Sequence, residues 1–277
     1  MIVDCHTHLN RYTPDLPATL EERYAALRAL MDEHGIDYAL VISSYDVTPE
    51  RPPTEEVLEM VAGDPKIGVV AAATAEMIQR ADYAPIRALL RAGAVKALKL
   101  YPGYVPVALG DPRVRLLYVL AAEFGVPVMI HTGDTFEKSS KVRFAHPLEV
   151  DDIAVDHPEV TFVMAHVGNP WFLDAAEVLY KNDNVFGDVS GLTLGDFQPR
   201  YERFARAKLN EVLAFVNDPG KLLFGTDWPI TDIGGCLKFV RSLDATEEEL
   251  EGMLWKNADR VFRLGLAEGG QGGDGPS

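Results

Sequence analysis

Six residues in this chain of 277 carry side chains suited to metal or acid–base chemistry, spread along its length: His6, His8, Lys99, His131, His166 and Asp227. In an extended segment residues i and i+2 point to the same side, so His6 and His8 can face one point while Cys5 and Thr7 face away. Neutral imidazoles and a carboxylate suit zinc and related divalent ions, and a catalytic site keeps one coordination position open for water or substrate. A His-x-His pair alone is weak evidence, because two solvated or packed histidines have the same spacing. Its weight comes from company: His6, His8, His131 and His166, four of the seven histidines, fall at the expected C-terminal ends of strands. The other three, His34, His146 and His157, fall in helix ends or loops and read as structural.

Positioning these groups requires a scaffold that brings distant strand ends together. Short β-rich runs occur at Ile2 to Cys5, Tyr38 to Ile42, Ile67 to Ala72, Val95 to Leu100, Val126 to Ile130, Thr161 to Ala165, Val185 to Val189 and Leu222 to Gly225. Between them lie segments with helical apolar spacing, such as Leu20 to His34, Arg113 to Phe124, Ala175 to Lys181 and Arg203 to Val216. Eight βα units predict an α/β fold closed into a parallel (β/α)₈ TIM barrel, whose sites sit at the C-terminal strand ends. An open doubly wound sheet fits less well: its first strand normally runs into a Gly-rich phosphate turn, and here it runs into His6-Thr7-His8. In this reading Lys99 shares a face of the fourth strand with Val95 and Ala97. Thr246 and Glu249 have the spacing of a capping box, which starts a final helix running to about Arg263. One domain is expected over 1–266, followed by a Gly-rich tail over 267–277 that has nothing to bury and is expected to be disordered.

Composition narrows the function classes. The formal net charge of −16 argues against a nucleic-acid partner, which would call for clustered Lys and Arg. The 47% apolar content is ordinary, and stretches such as Ile67 to Ala73 fall far short of the ~20 residues needed to span a bilayer, so no membrane association is expected. The first residues lack a basic leader and an apolar run, which predicts a cytoplasmic protein. Cys5 and Cys236 are expected to be free thiols.

Four segments taken in order, Asp4-Cys5-His6-Thr7-His8, Ile130-His131-Thr132-Gly133, Ala165-His166-Val167-Gly168 and Phe224-Gly225-Thr226-Asp227-Trp228-Pro229, resemble the amidohydrolase superfamily. More narrowly they are similar to its amidohydrolase-related branch, which includes decarboxylases similar to aminocarboxymuconate-semialdehyde decarboxylase and several lactone hydrolases. The resemblance implies that His6, His8, His131 and Asp227 ligate one divalent metal, zinc by default with manganese or iron as alternatives. It places His166 beside bound water and substrate. In binuclear relatives a lysine on the fourth strand is carboxylated and bridges two metals, while the decarboxylase-like branch typically works with one. The expectation is one metal with Lys99 as an uncarboxylated cation that orients an anionic substrate, the alternatives being a second metal with carboxylated Lys99 and a purely structural lysine at the barrel mouth. Dimerisation to a homodimer comes with the resemblance as a habit of the family.

The catalytic set is therefore expected to be Asp227, His166 and Lys99. Asp227 would pass the proton of water to the leaving group and His166 would stabilise the developing oxyanion. Arg143, with Lys138 and Lys141, could clamp a substrate carboxylate. Asn169, Trp171 and Asp188 fall in or beside loops where a small-molecule substrate would bind, and Asp188 could alternatively orient a ligand histidine. The leading expectation is a metal-dependent hydrolase of a small ester, lactone or amide. The alternative is a metal-dependent decarboxylase of an unsaturated or aromatic carboxylic acid, and a barrel that merely binds a ligand is the rival from another class.

Overall fold

The computed structural model describes residues 1–194 and 198–267, so the expected Gly-rich tail lies, apart from Ala267, outside the described residues. Eight strands, β1 (Val3–Thr7), β2 (Tyr38–Ile42), β3 (Ile67–Ala72), β4 (Ala97–Leu100), β5 (Val128–His131), β6 (Phe162–Ala165), β7 (Val185–Asp188) and β8 (Leu222–Leu223), run parallel in sequence order with helices between them. This is a (β/α)₈ barrel. Alternation decides which side chains fill it. Val3 and Cys5, Leu40 and Ile42, Val70 and Ala72, Ala97, Met129, Val163 and Leu223 share the inner apolar cluster. Their neighbours Ala39, Val41, Val69, Ala71, Leu98 and Val128 belong to the layer under the helices.

Val95 precedes β4 and lies in that outer layer, so Lys99 shares its inner face with Ala97 and Tyr101 but not with Val95. A second departure from simple alternation lies in β1. Asp4 pairs with Ala39 and Thr7 with Val41, so three steps on β1 oppose two on β2. Cys5 follows Val3 to the inside by ordinary alternation, and the bulge brings His6 to that same side, so Cys5 does not face away from His6 as strict period 2 across Cys5 to His8 predicts. Thr7 stays in register with outward-facing Val41 and donates its hydroxyl to the Leu40 carbonyl at 2.9 Å. The residue gained is what allows both His6 and His8 to reach the mouth.

The barrel closes where the chain leaves β8 and meets β1. Cys5 N–H donates to Phe224 O at 3.0 Å, Asp227 N–H to His6 O at 2.7 Å and His8 N–H to Trp228 O at 2.7 Å. Asp4 staples this seam from within: its Oδ1 accepts Thr226 N–H at 3.0 Å and His6 N–H at 3.1 Å, and its Oδ2 accepts the Thr226 hydroxyl at 2.7 Å. Burial pushes its carboxyl up to about 7, against the pull of those three donors.

Local signals explain the helices. Leu20–His34 opens on a capping box between Thr19 and Glu22 and ends on Gly35 at φ 69°. The expected Thr246–Glu249 box is present as well. The helix it starts does not run straight on, because Gly252–Lys256 forms a π turn whose Met253 carbonyl accepts Phe224 N–H at 2.9 Å. Past the turn, Ala258, Val261 and Phe262 join the inner cluster. Among the described residues no helix is long and apolar enough to cross a membrane, and Cys5 and Cys236 are free and buried.

Replacing Asp4 by Ala strips acceptors from two N–H groups and one hydroxyl in a closed interior. At about 1 kcal/mol or more for each, the cost is about 3 kcal/mol or more, read as a fall of roughly 6 °C or more in the thermal midpoint. A change below roughly 2 °C would refute the closure role.

Candidate metal centre

His6 and His8 stand at the end of β1, Asp227 follows β8, and ligand atoms of the three lie within 4.8 Å of one another. His8 Nε2 is 3.2 Å and His6 Nε2 3.6 Å from Asp227 Oδ1. The opposite nitrogens are committed to the barrel wall. His8 Nδ1 lies 2.9 Å from the Ile42 carbonyl, which can only accept, so that nitrogen carries the proton. His6 Nδ1 lies 2.9 Å from Asp188 Oδ2 and 3.0 Å from the Ser190 hydroxyl. In the neutral rings both Nε2 atoms are therefore lone pairs, and they face a carboxylate oxygen that is also an acceptor.

Three acceptors converging on one point need a cation between them, and imidazoles held from behind by a carbonyl and a carboxylate are the usual support of a metal ligand. The side chains present thus fit a divalent ion held by His6, His8 and Asp227. Their protonation agrees. Burial and the nearby Lys99 push His6 down to about 4 against the pull of Asp188 and Asp227, which keeps the ring neutral at pH 7. Burial alone would push Asp188 and Asp227 up; the histidines around them outweigh it and hold both well below the usual carboxylate range.

His166 follows β6 with φ 62°, and Val167 and Gly168 continue the left-handed path at φ 43° and φ 65°. Asp227 shares that conformation at φ 69°. Such backbone costs about 1–3 kcal/mol for each non-glycine residue and persists where surrounding bonds over-determine it. Here Asp188 Oδ1 accepts His166 N–H at 3.0 Å, and His6 O accepts Asp227 N–H at 2.7 Å. His166 Nδ1 lies 3.1 Å from the Ser190 carbonyl, which can only accept, and 2.9 Å from its hydroxyl, so Nδ1 carries a proton and Nε2 is the nitrogen turned away from the wall.

A second group of possible donors, His6, His166 and Asp188, overlaps the first. The first is the better ion site, because both Asp188 oxygens already accept hydrogen bonds. Asp188 is fully enclosed, so the structure places it beneath His6 rather than among the substrate-facing residues. His131 ends β5 close by, with its ring centroid 5.0 Å from that of His166. Its Nε2 is turned to the Asp134 carbonyl at 2.8 Å, so the structure brings together His6, His8 and Asp227 and leaves His131 beside them. Lys99 lies in the barrel interior at 0% exposure, and its Nζ has no hydrogen-bond partner.

The rim residues are less converged. Arg143 is exposed on the turn Val142–Ala145, stacked 4.5 Å from the Phe144 ring centroid. Trp171 packs on His146 at 4.8 Å, and Asn169 Nδ2 donates to the Tyr201 hydroxyl at 2.9 Å. An aromatic wall was not anticipated as such. Tyr45 stacks between Tyr101 at 4.8 Å and Tyr104 at 5.5 Å, and Tyr104 meets His131 edge-on at 4.9 Å. Gly191 was also missed. At φ 70°, a Cβ there would come within 2.8 Å of His166 Nδ1 and 3.1 Å of Asp227 Oδ2, so only glycine lets β7's loop close over the site. The signal available was its place just after the polar pair Asp188 and Ser190.

Residues 3–264 match the family model described as amidohydrolase. The chain belongs to the amidohydrolase family. No curated protein matches it significantly. Among solved structures, an uncharacterized TIM-barrel protein from Bordetella bronchiseptica is 20% identical with a TM-score of 0.73, over 95% of this chain and 98% of that one. A probable 2-pyrone-4,6-dicarboxylic acid hydrolase from Acinetobacter baumannii, with citric acid bound, is 17% identical with a TM-score of 0.70, over 95% and 99%. A dihydroxybenzoic acid decarboxylase from a Polaromonas species, with manganese and the inhibitor 2-nitroresorcinol, is 14% identical with a TM-score of 0.64, over 98% and 99%. At these identities the likeness establishes the barrel. The amidohydrolase barrel is thus shared by hydrolases and decarboxylases, as the sequence motifs imply.

The buried Lys99 gives a stability test. Burial holds its ammonium down at about 8 from an ordinary 10.5, against the attraction of Asp188, Asp227 and Cys5. Between those values the unfolded chain binds more protons than the folded one, so the Lys99 contribution to the stability of the metal-free protein rises with pH through the window, by on the order of 3 kcal/mol. Buried tyrosines such as Tyr12 and Tyr118, whose hydroxyls burial holds up, act in the opposite sense near its top. Lys99→Met is expected to lose that rise and to be at least as stable as the parent at pH 7. Denaturant titrations of parent and variant at pH 7 and pH 9, compared as a difference so that the tyrosines cancel, measure both, and a variant that is clearly weaker at pH 7 contradicts a net cost of burying the charge.

Proposed function

We propose that this amidohydrolase is a metal-dependent hydrolase of a small anionic ester, lactone or amide. The observation that carries the reading is the convergence of two imidazole lone pairs on an ionised carboxylate, with a lysine that has no hydrogen-bond partner enclosed in the barrel. His6, His8 and Asp227 would hold the ion, and His131 would complete the set once its Nε2 exchanges the Asp134 carbonyl for the metal. When bound, such an ion makes water more acidic and polarises a carbonyl.

The chain's own groups do the rest. Asp227 is the most open of the trio at 7% exposure. It takes the proton of the attacking water and returns it to the leaving oxygen or nitrogen. His166, with Nδ1–H committed to Ser190, donates from Nε2 to the developing oxyanion only when that nitrogen is protonated, so its protonated form is the active one. Lys99, which has no hydrogen-bond partner and lies over the Tyr101 ring at 5.2 Å, supplies a fixed positive potential that favours an anionic substrate. Arg143, Asn169 and Trp171 on the rim loops are the proposed contacts for the remainder of the substrate.

Decarboxylation of an aromatic or unsaturated acid is the second reading, favoured by the wall of Tyr45, Tyr101 and Tyr104 beside His131. Zinc suits the donor set, and manganese is the first alternative.

Two expected outcomes test this reading. Zinc- or manganese-loaded protein, assayed against lactones, esters and aromatic carboxylic acids, should release acid from the first two groups; carbon dioxide release instead selects the second reading. His166→Ala should keep its metal and lose on the order of 10²-fold or more in turnover. Unchanged turnover in that variant would remove His166 from the mechanism.

A further inference from the structure

Asp188, the last residue of β7, touches both halves of the site from beneath. Its Oδ2 accepts His6 Nδ1–H at 2.9 Å. Its Oδ1 accepts His166 N–H at 3.0 Å, Ser190 N–H at 3.1 Å and the Ser190 hydroxyl. We propose that Asp188 is a positioning residue that sets the tautomer of His6 and the left-handed backbone of His166 together, so that one carboxylate keeps metal ligand and acid–base residue in register. The inference rests on His6 being a metal ligand, as argued above.

The division of labour between the two oxygens makes the role directional. Oδ1 is surrounded by three donors, two of them backbone N–H groups that cannot turn away. Oδ2 faces a single group, the ring nitrogen of His6. A carboxylate is the group that can serve as acceptor on both sides at once. With acceptors fixed on both sides, His6 must carry its proton on Nδ1 and aim the Nε2 lone pair toward Asp227 Oδ1. The same Oδ1 restrains the N–H of a residue at φ 62°, a conformation that surrounding bonds must hold.

Asp188→Asn separates shape from acceptor capacity. The amide oxygen must stay on the three-donor side, since turning the NH₂ group there would set it against two N–H groups. The NH₂ then faces His6 Nδ1 and donates to it, which drives the proton to Nε2 and removes the lone pair that a metal needs. The variant keeps size and buried hydrogen bonds, so the fault is one of tautomer rather than of packing.

Nitrogen-15 NMR of histidine-labelled, metal-free protein reads the tautomer directly, with the His6 signals assigned by comparison with His6→Gln. In wild type His6 is expected as Nδ1–H, and in Asp188→Asn as Nε2–H, with zinc affinity measured by competition with a chelator falling ten- to a hundredfold. An Nε2–H ring in wild type, or an Nδ1–H ring retained in the variant, overturns the proposal. Should Asp188→Asn fail to fold, the wild-type spectrum still decides, because an Nδ1–H ring at His6 is required there. If the tautomers behave as expected but wild type binds neither zinc nor manganese, the control of the His6 tautomer by Asp188 stands, while the metal-hydrolase reading and the metal-positioning purpose of that control fall.

Discussion

The site depends on which face of each imidazole is tied to the barrel wall. His8 is held through Ile42 O, His166 through Ser190 O and His6 through Asp188. Every one of these acceptors belongs to a strand end or to the residue or two beyond it, so the barrel itself determines where the free nitrogens point. Neighbouring strand ends of a parallel sheet lie side by side, so β2 can hold His8 of β1 and the end of β7 can hold His166 of β6, while Asp188 reaches His6 past the end of β8. The bulge in β1 and the seam between β1 and the end of β8 then set the height at which His6, His8 and Asp227 meet.

That arrangement is not the one that folding alone would favour. An enclosed lysine without a hydrogen-bond partner, the left-handed backbone of His166 and Asp227 and three facing acceptors all oppose stability. They are tolerated because the surrounding layers are conventional: small and β-branched residues inside the barrel, and a continuous apolar layer between strands and helices. Strain gathered at one end of a regular scaffold is what a site requiring a ligand looks like.

Much of the frame was legible from sequence because its signals are local. Tyr38–Ile42, Ile67–Ala72 and the helix Leu20–His34 occur with the expected ends, since period-2 runs and capping residues act over a few positions. Strand ends carrying His6, His8, His131, His166 and Asp227 were visible for the same reason. What escaped depends on partners far away in the chain. That Cys5 and His6 lie on the same side follows from a bulge against β2, and the depth of Asp188 from its pairing with His6, 182 residues away. The π turn in the last helix answers to Phe224, and the orientation of His131 to the carbonyl of Asp134 in the loop that follows it. A period or a motif cannot report such contacts.

Family membership fixes the barrel and leaves the reaction to the mouth, where fold carries little information. The central claim is therefore the cation site itself. A crystal of the zinc-loaded protein, with anomalous data collected on both sides of the zinc edge, tests it most directly. One strong peak is expected within bonding distance of His6 Nε2, His8 Nε2 and an oxygen of Asp227. No peak there, or a peak bonded to Asp188 in place of Asp227, would contradict it.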